Sequence, residues 1–369
     1  MKIRDIQLYP IQMPQTYETH WANGRVSVAR HIVVKVIAEN GMYGVTEAIP
    51  RPGIYGETQE SIYHALKDIV IPGILGMDSF NLEAIWERLD ELPFNYAAKG
   101  AIDVAIHDLN GKILGLSCAE MLGGPYRRRI PLCWVSGGTW FEPEKILRET
   151  QKKVDEGYKA FKIKAGHFEE DIKLAIKLRS ICPSDVQIHL DPNQRYTREE
   201  LTKVGKELSG VINSIEEPVP VWDDMARREF AERFPEIALL SDESTFTVPE
   251  TARQMRLGAI RRLGVKIPRT GFTLTRKQVY MAETNDMPVQ ISTQGEMDLG
   301  CAAGAQFAAA FKQVSLPCEI AYFAKGMYPE SMLLGDGLKI DNGQMLLPEA
   351  PGMGVEINWN VVEKYGVKI

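Results

Sequence analysis

The sequence predicts an α/β protein: a (β/α)8-type TIM barrel with an N-terminal α+β capping domain. Two observations predict the barrel. Eight short apolar runs each end in a polar residue, at positions 136, 164, 191, 216, 242, 266, 292 and 319. The intervals between them are 28, 27, 25, 26, 24, 26 and 27 residues, one βα unit each. A third observation predicts the other unit. Residues 1–125 place strand patterns first and helical patterns after them, rather than alternating the two.

In chain order, Ile3, Ile6, Leu8 and Ile11 stand among polar neighbours, a strand pattern. Residues 12–30 are polar and aromatic and read as a loop. The run 32–37 leads into Asn40-Gly41, the strongest short hairpin signal, and on to Tyr43-Gly44-Val45. After a second loop at 50–56, Glu57, Thr58 and Glu60 favour a helix start. Helical patterns cover 57–71, 81–92 and 95–115; in the last, Ala97, Ala101, Val104, Ala105 and Leu109 recur at helical spacing. Leu122-Gly123-Gly124-Pro125 closes the segment. The barrel is expected at 126–322, with amphipathic stretches such as 142–156 and 198–208 between its strands. Residues 323–369 hold Gly and Pro turns with short apolar runs and read as a return to the first domain.

In such a barrel the C-terminal strand ends form one mouth, where active sites sit. The sequence therefore gathers Lys162, Lys164, Asp191, Glu216, Asp242, Lys266 and Glu319 in one place. Lys162 and Lys164 are two apart on a strand and share a face, where each ammonium favours proton loss from the other. A lone Lys-x-Lys is ordinarily a solvated strand face; the acids at neighbouring strand ends change that reading. Three carboxylates on three adjacent strands, with no His or Cys among them, make a hard-oxygen site that suits Mg²⁺ or Mn²⁺ over Zn²⁺.

With 369 residues and a net charge of −6, neither nucleic acid nor an anionic membrane is expected as the main partner. No apolar run approaches the roughly 20 residues that span a bilayer. Met1-Lys2-Ile3-Arg4-Asp5 lacks the apolar core of a signal peptide. The five cysteines are scattered and read as buried thiols in a reducing cytoplasm.

Taken jointly, these motifs resemble the enolase superfamily, and within it the mandelate racemase/muconate lactonizing enzyme family and its muconate cycloisomerase-like subgroup. The residues that carry the resemblance are Lys162-Ile163-Lys164, Asp191-Pro192-Asn193, Glu216-Glu217-Pro218, Asp242-Glu243-Ser244 and Lys266. The stretch from Ala101 to Lys112 is similar to the family's first domain, and the resemblance covers nearly the whole chain. Enolase-superfamily sites use a Lys or His base with Mg²⁺. The resemblance implies an isomerase, a racemase/epimerase or cycloisomerase, that abstracts the proton α to a carboxylate through an enolate. Its substrate would be a small carboxylic acid, an amino-acid derivative or unsaturated diacid. A syn-dehydratase and a non-catalytic carboxylate-binding barrel are the alternatives.

The resemblance assigns Asp191, Glu216 and Asp242 to the metal, Lys164 and Lys266 to opposite faces of the substrate, and Lys162 to a charge beside its carboxylate. Specificity loops would come from 14–27 and 50–56, bringing Tyr17, Trp21, Arg25, Arg51 and Tyr55 to the substrate. Glu319 would join them, with Tyr322 and Phe323 nearby. These residues imply a substrate with an apolar or cationic body. Relatives imply a homo-oligomer. Asn193 shares the face of Asp191, Glu217 and Glu243 turn away from it, and His189 reads as a packed interior histidine. Residues 260–369 contain no histidine, unlike a mandelate racemase-like site. The Asp-x-Asp of dipeptide epimerases is replaced by Glu319-Ile320-Ala321, and Gly271-Phe272 stands where the family often has Gly-Gly.

Overall fold

The computed structural model describes residues 1–320 and 322–369; Ala321 and the side chain of Tyr322, expected near the barrel mouth, lie outside the described residues. Three antiparallel strands open the chain: β1 Ile3–Trp21, β2 Gly24–Ala38 and β3 Tyr43–Ala48, in the order β1-β2-β3. The loop expected at 12–30 is instead the far half of the β1–β2 hairpin, paired as far as Trp21↔Gly24. Its side chains are mostly half-buried or exposed, so the apolar alternation that marks a strand is missing. A register shift between Pro14 and Thr19 interrupts the ladder further.

The helix Tyr96–Leu114 is buried on every side from Ala97 to Gly111, as a helix held between two layers must be. One side takes the sheet. A Cβ added to Gly44 of β3 would lie 2.1 Å from Ala105 O and 2.3 Å from Leu109 N. Gly44→Ala should therefore lower stability by on the order of 1–3 kcal/mol, the cost of overpacking against backbone. Thermal melts read this directly, and an unchanged midpoint would contradict the close approach. The other side faces the helix Ile267–Thr284 of the barrel.

The barrel strands are preceded by β4 Arg129–Pro131 and run β5 Cys133–Ser136, β6 Ala160–Lys164, β7 Gln187–Asp191, β8 Ser214–Glu216, β9 Ala238–Ser241, β10 Arg262–Val265 and β11 Val289–Ile291. Strands β5 to β11 form one parallel sheet in sequence order. The eighth expected strand, 316–319, is an extended segment without a full ladder, since Pro317 has no N–H to give. It still closes the barrel. Leu316 N and Glu319 N donate to Val289 O and Ile291 O at 3.1 and 2.8 Å, and Cys318 exchanges 2.8 Å bonds with Pro131 O and Cys133 N. The first expected run, 130–136, divides at Leu132, where β4 leaves to pair with Gln344–Leu346.

The last residues also meet β1: Gln12 N donates to Tyr365 O and Val367 N to Pro10 O, both at 2.9 Å. The five cysteines are buried and unbridged. No described helix is long and apolar enough to cross a membrane.

Candidate active site

Alternation along β6 turns Lys162 and Lys164 to the barrel interior, where the ends of β7, β8 and β9 bring Asp191, Glu216 and Asp242. Lys162 Nζ lies 2.8 Å from both Glu216 oxygens and 3.1 Å from Asp191 Oδ2 and Glu319 Oε2. Burial disfavours its charge, yet Asp191, Glu216 and Glu319 outweigh burial and hold the ammonium well above its ordinary range. The expectation that the paired lysines ease proton loss is therefore overturned at Lys162. Carboxylates on three sides override one neighbouring cation.

Lys164 Nζ sits 2.5 Å from Asp191 Oδ2. Lys266 follows β10 and reaches Asp242 Oδ2 at 2.5 Å, while Arg269 Nη1 holds Asp242 Oδ1 at 2.9 Å. Burial opposes ionisation of Asp242, but Lys266 and Arg269 prevail and bring its carboxyl to about 2. Asp191 is likewise held low against its burial by Lys162 and Lys164. Glu216 goes the other way, pushed well above the carboxylate range by burial and by Asp191. Lys162, Lys164, Lys266 and Arg269 are thus the counter-ions of these interior carboxylates.

Supporting groups surround the triad. Glu217, at φ 37°, accepts from Asp242 N at 2.7 Å and from Ser244 N and Oγ at 2.9 and 2.5 Å. It fixes the backbone that presents Asp242. Glu243 is raised to about 8 by burial and by Asp242 and Glu217. Asn193 N donates to Asp191 Oδ1 at 3.1 Å. Asn193 Oδ1 and Glu243 Oε2 are buried without a protein partner among the described residues.

Cys133, His189 and Glu319 also bring ligand atoms within 4.8 Å of one another. Burial and Glu319 push the Cys133 thiol well up, and a protonated thiol is a poor ligand. Glu319 already accepts from Gln290 Nε2 at 2.7 Å as well as from Lys162. The oxygen-only set of Asp191, Glu216 and Asp242 is the better match to a hard divalent ion.

Above these groups lies a cavity of ≈ 330 Å³, with Lys164, Lys266 and Asn193 in its lining and Tyr17 and Trp21 from the hairpin. The hairpin tip is tied down by Asn23 Nδ2 to Asn193 O at 2.9 Å and by Arg195 Nη2 to Ala22 O at 2.7 Å. Three expected substrate contacts do not line the cavity. The Arg25 side chain is 73% exposed, 3.8 Å from Glu18. Tyr55 donates its hydroxyl to Ile49 O at 2.9 Å and meets Gln294. Glu319 is 0% exposed and engaged with Lys162.

Sequence reasoning missed Arg269, whose signal was its place one helical turn after Lys266. It also missed Lys145 and Glu149, which line the cavity from the helix Pro143–Asp155. Four apart on an amphipathic helix, they read as a solvated pair. Lys325 lines the cavity too and donates to Val135 O; burial lowers its ammonium to about 8.

The mandelate racemase / muconate lactonizing enzyme N-terminal domain matches residues 5–123, and the enolase C-terminal domain-like family matches 145–361. N-succinyl-L-Arg/Lys racemase of Bacillus cereus is 28% identical, over 100% of this chain and 98% of its own. Muconate cycloisomerase 1 of Rhodococcus opacus is 25% identical, over 99% of this chain and 98% of its own. The solved muconate lactonizing enzyme of Mycobacterium smegmatis, complexed with muconolactone, is similar at a TM-score of 0.94 and 29% identity, with 100% of both chains covered. The chain belongs to the mandelate racemase/muconate lactonizing enzyme family of the enolase superfamily and is an isomerase.

Proposed function

We propose that the protein removes and returns the proton α to the carboxylate of a small acid, as a racemase or epimerase. The observation that carries the reading is that Lys164 and Lys266 line one cavity from strands four places apart in the barrel. A base must come within about 3 Å of the proton it takes, so one lysine serves each face of a held substrate. Lys162 supplies fixed positive charge among the carboxylates, and Trp21, whose indole N–H has no acceptor among the described residues, roofs the site. Residues 1–125 and 323–369 act on this reading as the cap over a 126–322 barrel.

Enzymes of this family generally bind a divalent metal ion. The buried carboxylates of Asp191, Glu216 and Asp242 would hold it, with Mg²⁺ or Mn²⁺ favoured by their oxygen donors. When bound, such an ion stabilises negative charge developing on the substrate carboxylate. Asn193 N donates to Asp191, Glu243 follows Asp242 in the chain, and Glu217 steadies Asp242.

The cavity also bears on the substrate. Arg51, Lys145 and Lys325 line it with Glu149 as the accompanying acid. Glu149 Oε1 accepts from Trp134 Nε1 at 2.8 Å. A distal acidic group fits this wall better than the cationic body expected from sequence. An N-acyl amino acid with a second carboxylate, such as an N-succinyl amino acid, meets both requirements. Cycloisomerisation of an unsaturated diacid is the second reading, favoured by the same cations.

Glu216→Gln tests the site. It removes one ligand charge and keeps the shape, so calorimetric Mg²⁺ affinity and turnover should fall together. The loss should exceed the roughly 10–100-fold that follows removal of a supporting hydrogen bond. Undiminished metal binding and activity would take Glu216 out of the ligand set.

A further inference from the structure

We infer that Asp103, on the helix Tyr96–Leu114, is the positioning residue for Lys266: its carboxylate fixes the turn that presents Lys266 and Arg269 to Asp242. The inference rests on the proposed role of Lys266 and adds a residue outside the barrel to it.

After β10, Lys266 is followed by one helical turn, and Gly271 at φ 59°, ψ −169° then breaks the helix Ile267–Thr284. That backbone conformation is essentially restricted to glycine. The turn is internally tied. Lys266 O accepts from Arg269 N at 3.1 Å, Thr270 N at 3.2 Å and Thr270 Oγ1 at 3.1 Å. Thr270 Oγ1 lies 2.6 Å from Thr275 Oγ1, which donates to Gly271 O at 2.5 Å. The turn and the helix beyond it therefore move as one piece.

The break leaves N–H groups at the start of the second helical segment in need of an acceptor. Asp103 supplies it from the first unit of the chain. Its Oδ2 accepts from Phe272 N at 2.6 Å and Thr273 N at 3.1 Å, and its Oδ1 from Thr273 Oγ1 at 2.5 Å and Trp86 Nε1 at 2.7 Å. An anion at a helix N-terminus is a favourable pairing. Burial would raise the Asp103 carboxyl, but His107 and the hydrogen bonds from Thr273 and Trp86 outweigh it and keep the group ionised. One turn earlier on the same helix, Gly100 faces the turn itself. A Cβ there would lie 2.6 Å from Pro268 O and 3.1 Å from Arg269 C.

The other lysine is held differently. The segment after Lys164 is fixed by Asp171, which accepts from Gly166 N, Tyr196 Oη and Thr139 Oγ1, each at 2.8 Å. All of these are barrel residues. The two lysines thus depend on separate supports, and the helix of the first unit governs Lys266 alone.

Three variants weaken the contact by different routes: Asp103→Asn, Thr273→Val and Gly100→Ala. Thr273→Val keeps the buried anion in place, so it stays readable if Asp103→Asn does not fold. Competitive acetylation with acetic anhydride, resolved by mass spectrometry, reads Lys266 against Lys164 without any substrate. Deuterium exchange into N-succinyl-L- and N-succinyl-D-phenylalanine reads each face. Lys266 labelling should change while Lys164 labelling holds its original rate. Exchange of the hand served by Lys266 should drop by roughly 10- to 10²-fold, as a displaced catalytic group costs, with the other hand unaltered. Equal effects at both lysines, or none at either in a folded variant, would overturn the inference. Selective labelling changes without exchange of either hand in the unaltered protein would support the positioning role and sink the proposed reaction instead.

Discussion

Replacing Lys162 by methionine should abolish exchange of both hands of the substrate, a loss of roughly 10²–10³-fold or more in turnover. The side-chain volume is nearly kept while the charge goes. Lys162 is bonded to both oxygens of Glu216 and to Glu319, and lies 3.1 Å from Asp191. Without it these buried carboxylates face one another. Removing one partner of a buried ion pair costs about 3–5 kcal/mol, so the thermal midpoint should fall as well. The effect on both hands distinguishes Lys162 from a base, which would serve one face. Turnover within tenfold of the unaltered enzyme would reduce Lys162 to a structural charge.

The second large effect separates the other two lysines. Lys266→Ala should still admit deuterium to one enantiomer through Lys164, and Lys164→Ala should label only the other. Each variant should lose racemisation by roughly 10²-fold or more, since general-base catalysis contributes on that order. The separation follows from placement: Lys164 ends β6 and is bonded to Asp191, whereas Lys266 follows β10 and is bonded to Asp242. If Lys266→Ala keeps full turnover with both hands, the two-base arrangement is wrong.

Much of the site was legible because a βα period near 25 residues marks strand ends, and strand ends define the barrel mouth. Asp191, Glu216, Asp242, Lys164 and Lys266 carry that signal, and Lys162 follows from its place two residues before Lys164 on one strand face. What escaped lies off the strands. Arg269, Lys145 and Glu149 sit on helices, where a charged residue reads as solvated until its neighbours are known. Asp103 acts across more than 160 residues of chain on Phe272 and Thr273, a pairing that no local pattern announces. The hairpin at 12–30 was missed because backbone bonding rather than side-chain burial makes it a strand. Glu319 was placed with the substrate by resemblance, whereas its side chain is buried against Lys162 and does not line the cavity. Conversely, the proton on Lys162 could not be judged from Lys164 alone, because the deciding charges arrive from β7, β8 and the segment 316–319.

The most direct measurement is proton NMR of N-succinyl-L- and N-succinyl-D-phenylalanine in D₂O, each incubated with the unaltered protein and Mg²⁺. The account predicts loss of the α-proton signal from both hands, with deuterium in recovered substrate and in its enantiomer, and no loss after chelation of the metal. Retention of the α-proton in both hands, with Mg²⁺ binding verified by calorimetry, would contradict it.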